Sequence, residues 1–311
     1  MKAIMIEAYG DTSVLKEGNL DIPVIDSNQV LVEVKAFAIN PVDWKIRRGY
    51  FQQMMPFPMP LVLGSDLAGV VKEVGSDVKG FQVGDRVFGS PNVMGSGTYQ
   101  EFVAINQDSI ALLPNEISFE DAASLPVATL TAWSAIETMN VTANDTVLVQ
   151  AGAGAVGGFS IQFAKLKGAK VITTCSTNNV DVVKSMGADE VIDYTKTPFD
   201  TVISTVDVVI DPLGGEVQER SFTVLKKHGR LASVAVPPNM ELAKEHEIDA
   251  QYIRLITDNA TDKLTKFAKL LADGKIKTSI TEILPFAAES VQKAHADSET
   301  GHAKGKYIIQ M

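Results

Sequence analysis

The sequence predicts an α/β protein in two parts: a doubly wound parallel sheet with helices on both faces, and a β-rich lobe of barrel type. Three observations predict it. Strand-like and helix-like runs alternate strictly from Asp145 onward, the pattern of a parallel sheet with crossover helices. The residues before Ser118 carry short β runs punctuated by glycine, as in a small barrel. A glycine-rich turn, GAGAVG, opens the first helix of the alternating part.

The elements follow in order. Residues 30–38 alternate apolar and polar positions, the period of a half-buried strand. Residues 64–74 and 86–88 are further β runs, with Gly75, Gly80, Gly84 and Gly89 as turns. Ser118 with Asp121 marks a helix start, and a helical stretch through Trp133, Ile136 and Met139 follows. The alternating part places strands at 147–150, 171–175, 208–210 and 231–236. Helices are expected at 155–167, closed by Gly168, at 180–186, closed by Gly187, and at about 216–227. An amphipathic helix at 261–272 ends at Gly274. Beyond it come a β run at 276–284, a short helix near 288–294 and a strand at 307–309, a tail expected to rejoin the N-terminal lobe.

Length and composition bound the function. The chain has 311 residues. Single cores stop growing at roughly 250–300 residues, so two domains are expected: 1–122 with 268–311, and 123–267. A net charge of −10 argues against nucleic acid as a partner. The one cysteine, Cys175, permits no intramolecular disulfide, which fits a reducing compartment. The N-terminus lacks the apolar core of a signal peptide, and no apolar run reaches the ~18 residues of a membrane span. A cytoplasmic enzyme without membrane contact is expected.

In GAGAVG the pattern G-x-G-x-x-G follows a buried strand and opens a helix, the context in which it binds a dinucleotide. Gly152 allows the tight turn, Gly154 lets the backbone approach the pyrophosphate, and Gly157 lets helix and strand pack closely. Ala155 and Val156 open the helix, whose first amides and positive dipole end face the phosphates. The second strand then ends Thr173-Thr174-Cys175-Ser176-Thr177-Asn178-Asn179, with no carboxylate before Asp181. NAD sites place Asp or Glu here for the ribose hydroxyls. Small hydroxyl and amide side chains leave room for a 2′-phosphate, so NADPH is the expected cofactor. An acid at Thr174 or Cys175 is expected to move preference toward NADH.

Three N-terminal segments extend the reading: N-x-x-D-x-x-x-R-x-G-x at 40–50, GSDLAG at 64–69 and VGDRV at 83–87. Together with GAGAVG and the tail GHAKGKYIIQM, they resemble the zinc-independent quinone oxidoreductase group of the medium-chain dehydrogenase/reductase superfamily. The resemblance implies a GroES-like catalytic lobe built from both chain ends, a Rossmann lobe between them, a cleft where nicotinamide and substrate meet, and a homodimer. Zinc-dependent members offer an early Cys, a G-H-E segment and a four-cysteine lobe. Here the G-H-E place reads Gly64-Ser65-Asp66, and His228, His246, His295 and His302 show no ligand spacing. No metal is expected.

The resemblance places Asn40, Asp43 and Tyr50 near the substrate and Thr129 beside the nicotinamide. Asn40 either donates its amide to the acceptor oxygen or holds the turn before Pro41. Asp43 is read as orienting Arg47 or the loop. Tyr50 either donates a proton or lines the pocket, and Thr129 alternatively caps a helix start. Ser176 and Tyr194 match positions that hold the 2′-phosphate, with Thr177 alongside; Tyr194 alternatively packs on the ribose. NADP-using relatives carry Lys where this chain has Val180, leaving Lys184 or Lys196 as the replacement cation. Trp44, Phe51, Phe57, Met54 and Met55 form either an apolar pocket or a packed surface loop.

Without a Lewis acid, polarisation must come from hydrogen-bond donors, which suits acceptors that are already electrophilic. The expected reaction is hydride transfer from NADPH to a quinone or enone. The alternatives are a 2-enoyl thioester reductase and a non-catalytic NADPH-binding redox sensor.

Overall fold

Strand Gln29–Ala38 organises the β-rich unit because nearly every inward position is aliphatic or aromatic: Val30, Val32, Val34 and Phe37 are fully buried. It pairs antiparallel with Asp66–Val74, with Phe102–Asn106 and with Lys306–Gln310. The computed structural model describes residues 1–91, 97–254, 257, 259–301 and 303–311. The chain divides into two compact units, Met1–Val127 with Thr257–Met311, and Ala128–Ile256.

In the first unit the main sheet runs Ile280–Pro285, Lys306–Gln310, Gln29–Ala38, Asp66–Val74, Arg86–Gly89, Ile110–Leu112. A smaller sheet of Lys16–Asn19, Lys2–Ile6 and Leu61–Val62 shares its core, in which Ile4, Ile6, Phe37, Leu67, Val71 and Tyr99 meet. The chain's tail does return to the N-terminal sheet, with Ile308 opposite Ala38.

The second unit carries strands β1 (Thr146–Val149), β2 (Lys170–Cys175), β3 (Glu190–Asp193), β4 (Val206–Asp211), β5 (Leu225–Ser233) and β6 (Asp249–Tyr252). All neighbours are parallel and the order is β3-β2-β1-β4-β5-β6. This is the doubly wound order, which reverses beside β1 and so leaves a ligand crevice at its carboxyl end. β1 is buried on both sides, with Val147, Leu148 and Val149 fully enclosed.

Several expected boundaries move. The helix expected over 216–227 is Gly215–Phe222, and β5 begins at Leu225 rather than 231. Val224 and Leu225 are buried, Lys226 pairs with Asp207 and Lys227 with Glu247, so sheet burial overrides local helix propensity. β5 stops at Ser233, not 236, where the Ser233 hydroxyl donates to the Val236 carbonyl. The tail strand is Ile280–Pro285 and the tail helix runs on to Glu299. Strands β3 and β6 carry no clean sequence signal because they are short, polar edge strands. Among the described residues, no helix is long and apolar enough to cross a membrane.

Candidate active site

The glycine turn leaves β1 through Ala151, which alone takes a left-handed φ, of 50°. This corrects the role expected of Gly152. Gly152 lacks a Cβ for a different reason: one would lie 2.1 Å from the Thr173 hydroxyl. The turn is tied to β2, where Ala151 N–H donates to Thr174 Oγ1 (3.1 Å) and Gly152 N–H to the Thr174 carbonyl (2.9 Å). A Cβ at Gly157 would sit 2.2 Å from the Ala151 carbonyl oxygen, so helix and turn pack too closely for any other residue. Gly154 differs: an added Cβ would meet only the Ala151 carbonyl oxygen, at 3.3 Å. It caps helix Ala155–Leu166, whose first turn contains Ala155, Val156 and Gly157. An extended, open glycine at a helix N-terminus is what close approach of a pyrophosphate requires.

At the carboxyl end of β2, Ser176 precedes a short turn, Thr177–Asn179. Its hydroxyl oxygen accepts from Asn179 Nδ2 (3.1 Å). β3 brings Asp193 opposite Cys175, and the Thr177 hydroxyl donates to Asp193 Oδ2 (2.5 Å). Thr195 donates both its hydroxyl (2.6 Å) and its backbone N–H (3.1 Å) to Asp193 Oδ1, and Lys196 Nζ lies 3.1 Å from Oδ2. The Thr177 and Thr195 hydroxyls hold the Asp193 carboxyl well below the usual carboxylate range. Tyr194 is half exposed beside this cluster, its N–H donating to the Cys175 carbonyl (3.1 Å). Burial pushes the Cys175 thiol up to about 11, leaving it protonated.

The β-rich unit holds the second group. Helix Pro41–Arg47 starts at Asn40, with Pro41 as its first residue. Asn40 N–H donates to Asp43 Oδ2 (2.7 Å), which fixes the first turn. The Asn40 carboxamide is buried and fully oriented: Nδ2 donates to Asp66 Oδ2 (2.8 Å) and Oδ1 accepts from Lys306 Nζ. Lys306 also lies 2.6 Å from Asp66 Oδ2, and Asp66 Oδ1 accepts the Val127 N–H (2.8 Å). The buried Lys306–Asp66 charge pair is thus hydrogen-bonded on both sides, as burial demands.

Asp43 joins this group to a second chain of bonds. Of the two roles expected of it, it fills one, holding the loop at Asn40, and makes no direct bond to Arg47. Instead the Tyr99 hydroxyl donates to Asp43 Oδ2 (2.8 Å) and lies 3.0 Å from His295 Nε2. Arg47 Nε donates to His295 Nδ1 (3.2 Å), so Nε2 carries the ring proton and donates to Tyr99. Arg47 continues to the Gly10 carbonyl (2.9 Å) and to Glu299. Burial raises the Asp43 carboxyl to about 7 and lowers His295 to about 3. The chain therefore runs Arg47, neutral His295, Tyr99, Asp43, each donor feeding the next acceptor.

Of the remaining expected residues, Tyr50 is 65% exposed, with its ring edge-on to Trp44 at 5.8 Å. Thr129 is buried within helix Pro126–Thr138. Phe57 belongs to the core of the unit, with Phe51 and Met55 packed on it and Met54 exposed. A small cavity is lined by Asp43, Ile46, Phe57, Leu63, Ser65 and Gly97. Sequence reading passed over Lys306, Tyr99 and His295 as site residues. All three are buried, and their immediate neighbours, Thr98 and Gln100, Ala294 and Ala296, Gly305 and Tyr307, form no common pattern that would mark them.

His295 is in the network above, His246 stacks on Phe222, His228 sits at a left-handed φ of 62°, and His302 lies outside the described residues. Among the described residues, no three His, Cys, Asp or Glu side chains are grouped to hold a metal ion.

Comparison with known proteins places these features in a lineage. Residues 26–115 match the alcohol dehydrogenase GroES-like domain and residues 186–309 match the zinc-binding dehydrogenase family. The chain is 38% identical to 2-methylene-furan-3-one reductase of Solanum lycopersicum, over 99% of this chain and 79% of that protein. It is 36% identical to the chloroplastic NADPH-dependent alkenal/one oxidoreductase of Arabidopsis thaliana, with the same coverage of 99% and 79%. The quinone oxidoreductase of Coxiella burnetii superposes with a TM-score of 0.93 at 36% identity, covering 100% of this chain and 99% of that one. The doubly wound unit is a Rossmann fold and the β-rich unit is GroES-like, and the chain belongs to the medium-chain dehydrogenase/reductase superfamily, among its quinone and alkenal/one oxidoreductases.

Proposed function

We propose that the protein transfers a hydride from NADPH to a small electron-poor acceptor, a quinone or an α,β-unsaturated carbonyl, without zinc. The observation that carries this reading is a dinucleotide turn open at Gly154, in a chain whose metal-ligand segment reads Gly64-Ser65-Asp66. The relatives named for quinone and alkenal/one reduction support the acceptor class.

NADPH, when bound, supplies the hydride; the chain binds, orients and protonates. Gly154 and the first helical amides at Ala155, Val156 and Gly157 would receive the pyrophosphate, with Gly152 seating the turn against the second strand. Ser176 and Tyr194 would take the adenosine ribose end, with Thr177 shaping that site, and Thr129 would take the nicotinamide end. Asn40 gives one Nδ2 hydrogen to Asp66, and its second Nδ2 hydrogen is the one assigned to the acceptor oxygen, where negative charge develops. Asp43 is a positioning residue, since it holds the backbone of Asn40. Tyr50, held edge-on by Trp44, is the proton donor. Zinc independence suits acceptors that need no Lewis acid. A homodimer in the cytosol belongs to the same reading.

The test is NADPH oxidation against a panel of quinones, enones and crotonyl-CoA. Turnover with quinones or enones above the thioester is expected. Faster reduction of crotonyl-CoA assigns a thioester reductase instead, and NADPH binding without any oxidation assigns the redox sensor.

A further inference from the structure

Resting on the NADPH reading, we infer that Lys196 is the cation that pairs with the 2′-phosphate of the adenosine ribose, and that Asp193 is the positioning residue that seats it there. A 2′-phosphate brings close to two negative charges to the end of the second strand, and the adjoining helix opens with apolar Val180 followed by acidic Asp181. The cation must therefore come from elsewhere.

Strand β3 supplies it. β2 and β3 stay in register to their last residues, with Cys175 opposite Asp193. Asp193 thus stands beside the turn that begins at Ser176, the place where a Rossmann sheet holds the ribose. One oxygen, Asp193 Oδ2, accepts the Thr177 hydroxyl and pairs with Lys196 Nζ. The ammonium is therefore held one oxygen away from Thr177, yet remains 65% exposed. Asp193 itself is 13% exposed and is bound by two threonine hydroxyls and a backbone N–H as well as Lys196. Its charge is spent on those donors, so it does not serve as the ribose-binding acid of an NAD site.

Thr177 accordingly has a different role from the one expected of it. Its hydroxyl hydrogen goes to Asp193, so it shapes the site instead of donating to phosphate. The Ser176 hydroxyl accepts from Asn179 and keeps its own hydrogen for the phosphate.

The test is calorimetric titration of NADPH and of NADH into the unaltered protein and the Lys196→Met, Lys196→Arg and Lys184→Met variants. Lys196→Met is expected to lose about tenfold in NADPH affinity, the loss of one charge-assisted phosphate contact, with NADH unchanged. Lys196→Arg is expected to retain NADPH, and Lys184→Met to leave both cofactors unaffected. Unaltered NADPH affinity in Lys196→Met, in a protein that prefers NADPH, overturns the assignment of Lys196 alone. Equal affinity of the unaltered protein for both cofactors overturns the NADPH reading and this assignment with it.

Discussion

Asn40 Nδ2 donates to Asp66 Oδ2 over 2.8 Å, on the same oxygen that Lys306 holds at 2.6 Å. Three chain segments far apart in sequence meet at that atom: the head of helix Pro41–Arg47, the start of strand Asp66–Val74 and the tail strand Lys306–Gln310. Removing the lysine would leave a buried carboxylate with no counter-charge. Lys306→Met is therefore expected to lose roughly 3–5 kcal/mol, and Asn40→Ala roughly 1–3 kcal/mol, measured by denaturant unfolding. The double variant Lys306→Met with Asp66→Asn is expected to recover part of the loss. Strict additivity of the two changes would show that they do not share a network.

The Asp43–Tyr99–His295 chain predicts a pH signature. Asp43 is raised from 3.8 to about 7, so its stabilising contribution is present at low pH and lost as pH rises through that window. His295 is lowered from 6.5 to about 3, so its contribution is present above 6.5 and lost as pH falls toward 3. The two slopes oppose each other. His295→Gln removes one of them, so its deficit relative to the unaltered protein is expected to grow as pH rises toward 6.5, by at most about 1.4 kcal/mol per pH unit. A deficit that shrinks over this range contradicts the neutral His295.

Two glycines in the same turn are expected to fail differently. A Cβ at Gly154 would meet a single atom, the Ala151 carbonyl oxygen at 3.3 Å, so Gly154→Val should fold yet lose roughly 2–4 kcal/mol of NADPH binding, as several charge-assisted amide contacts go together. Gly157→Ala would force a methyl group against the Ala151 carbonyl oxygen and should lower the melting temperature first. The readouts are fluorescence titration and a melting curve. Normal melting with unchanged NADPH binding in Gly154→Val would remove the phosphate cradle from this loop.

Cofactor preference should be movable at Ser176. Thr174 and Cys175, the positions expected from sequence, are buried, and the Thr174 hydroxyl bridges Gln150 and Ala151. An acid there would damage the turn. On the proposed cofactor site, Ser176→Asp would face the ribose without that cost and should bind NADH in preference to NADPH, as read by competitive titration. Loss of both cofactors together would show that Ser176 is structural.

Legibility followed burial and length. The alternating core strands, the glycine turn and Ser118, which accepts from the Asp121 N–H as a helix cap, are visible because each rests on local pattern. Strand β3 is not, being four residues with no fully buried member, and with it went the Asp193 cluster. Asn40 and Asp43 were visible through their motif, but their partners lie up to 266 residues away in sequence, as Lys306 does from Asn40. No window of sequence reports such a contact. Gly152 was legible as a required glycine, though the requirement comes from Thr173 on the neighbouring strand and not from its own φ.

The most direct test of the proposed reaction follows deuterium from the transferable position of NADPH into product, using chelator-treated protein and a simple enone. The expected result is consumption of one equivalent of NADPH per saturated ketone, with deuterium on the β-carbon and the rate unchanged by chelation. Absence of deuterium transfer to any quinone or enone, or loss of activity on chelation restored by zinc, would contradict a metal-free hydride transfer.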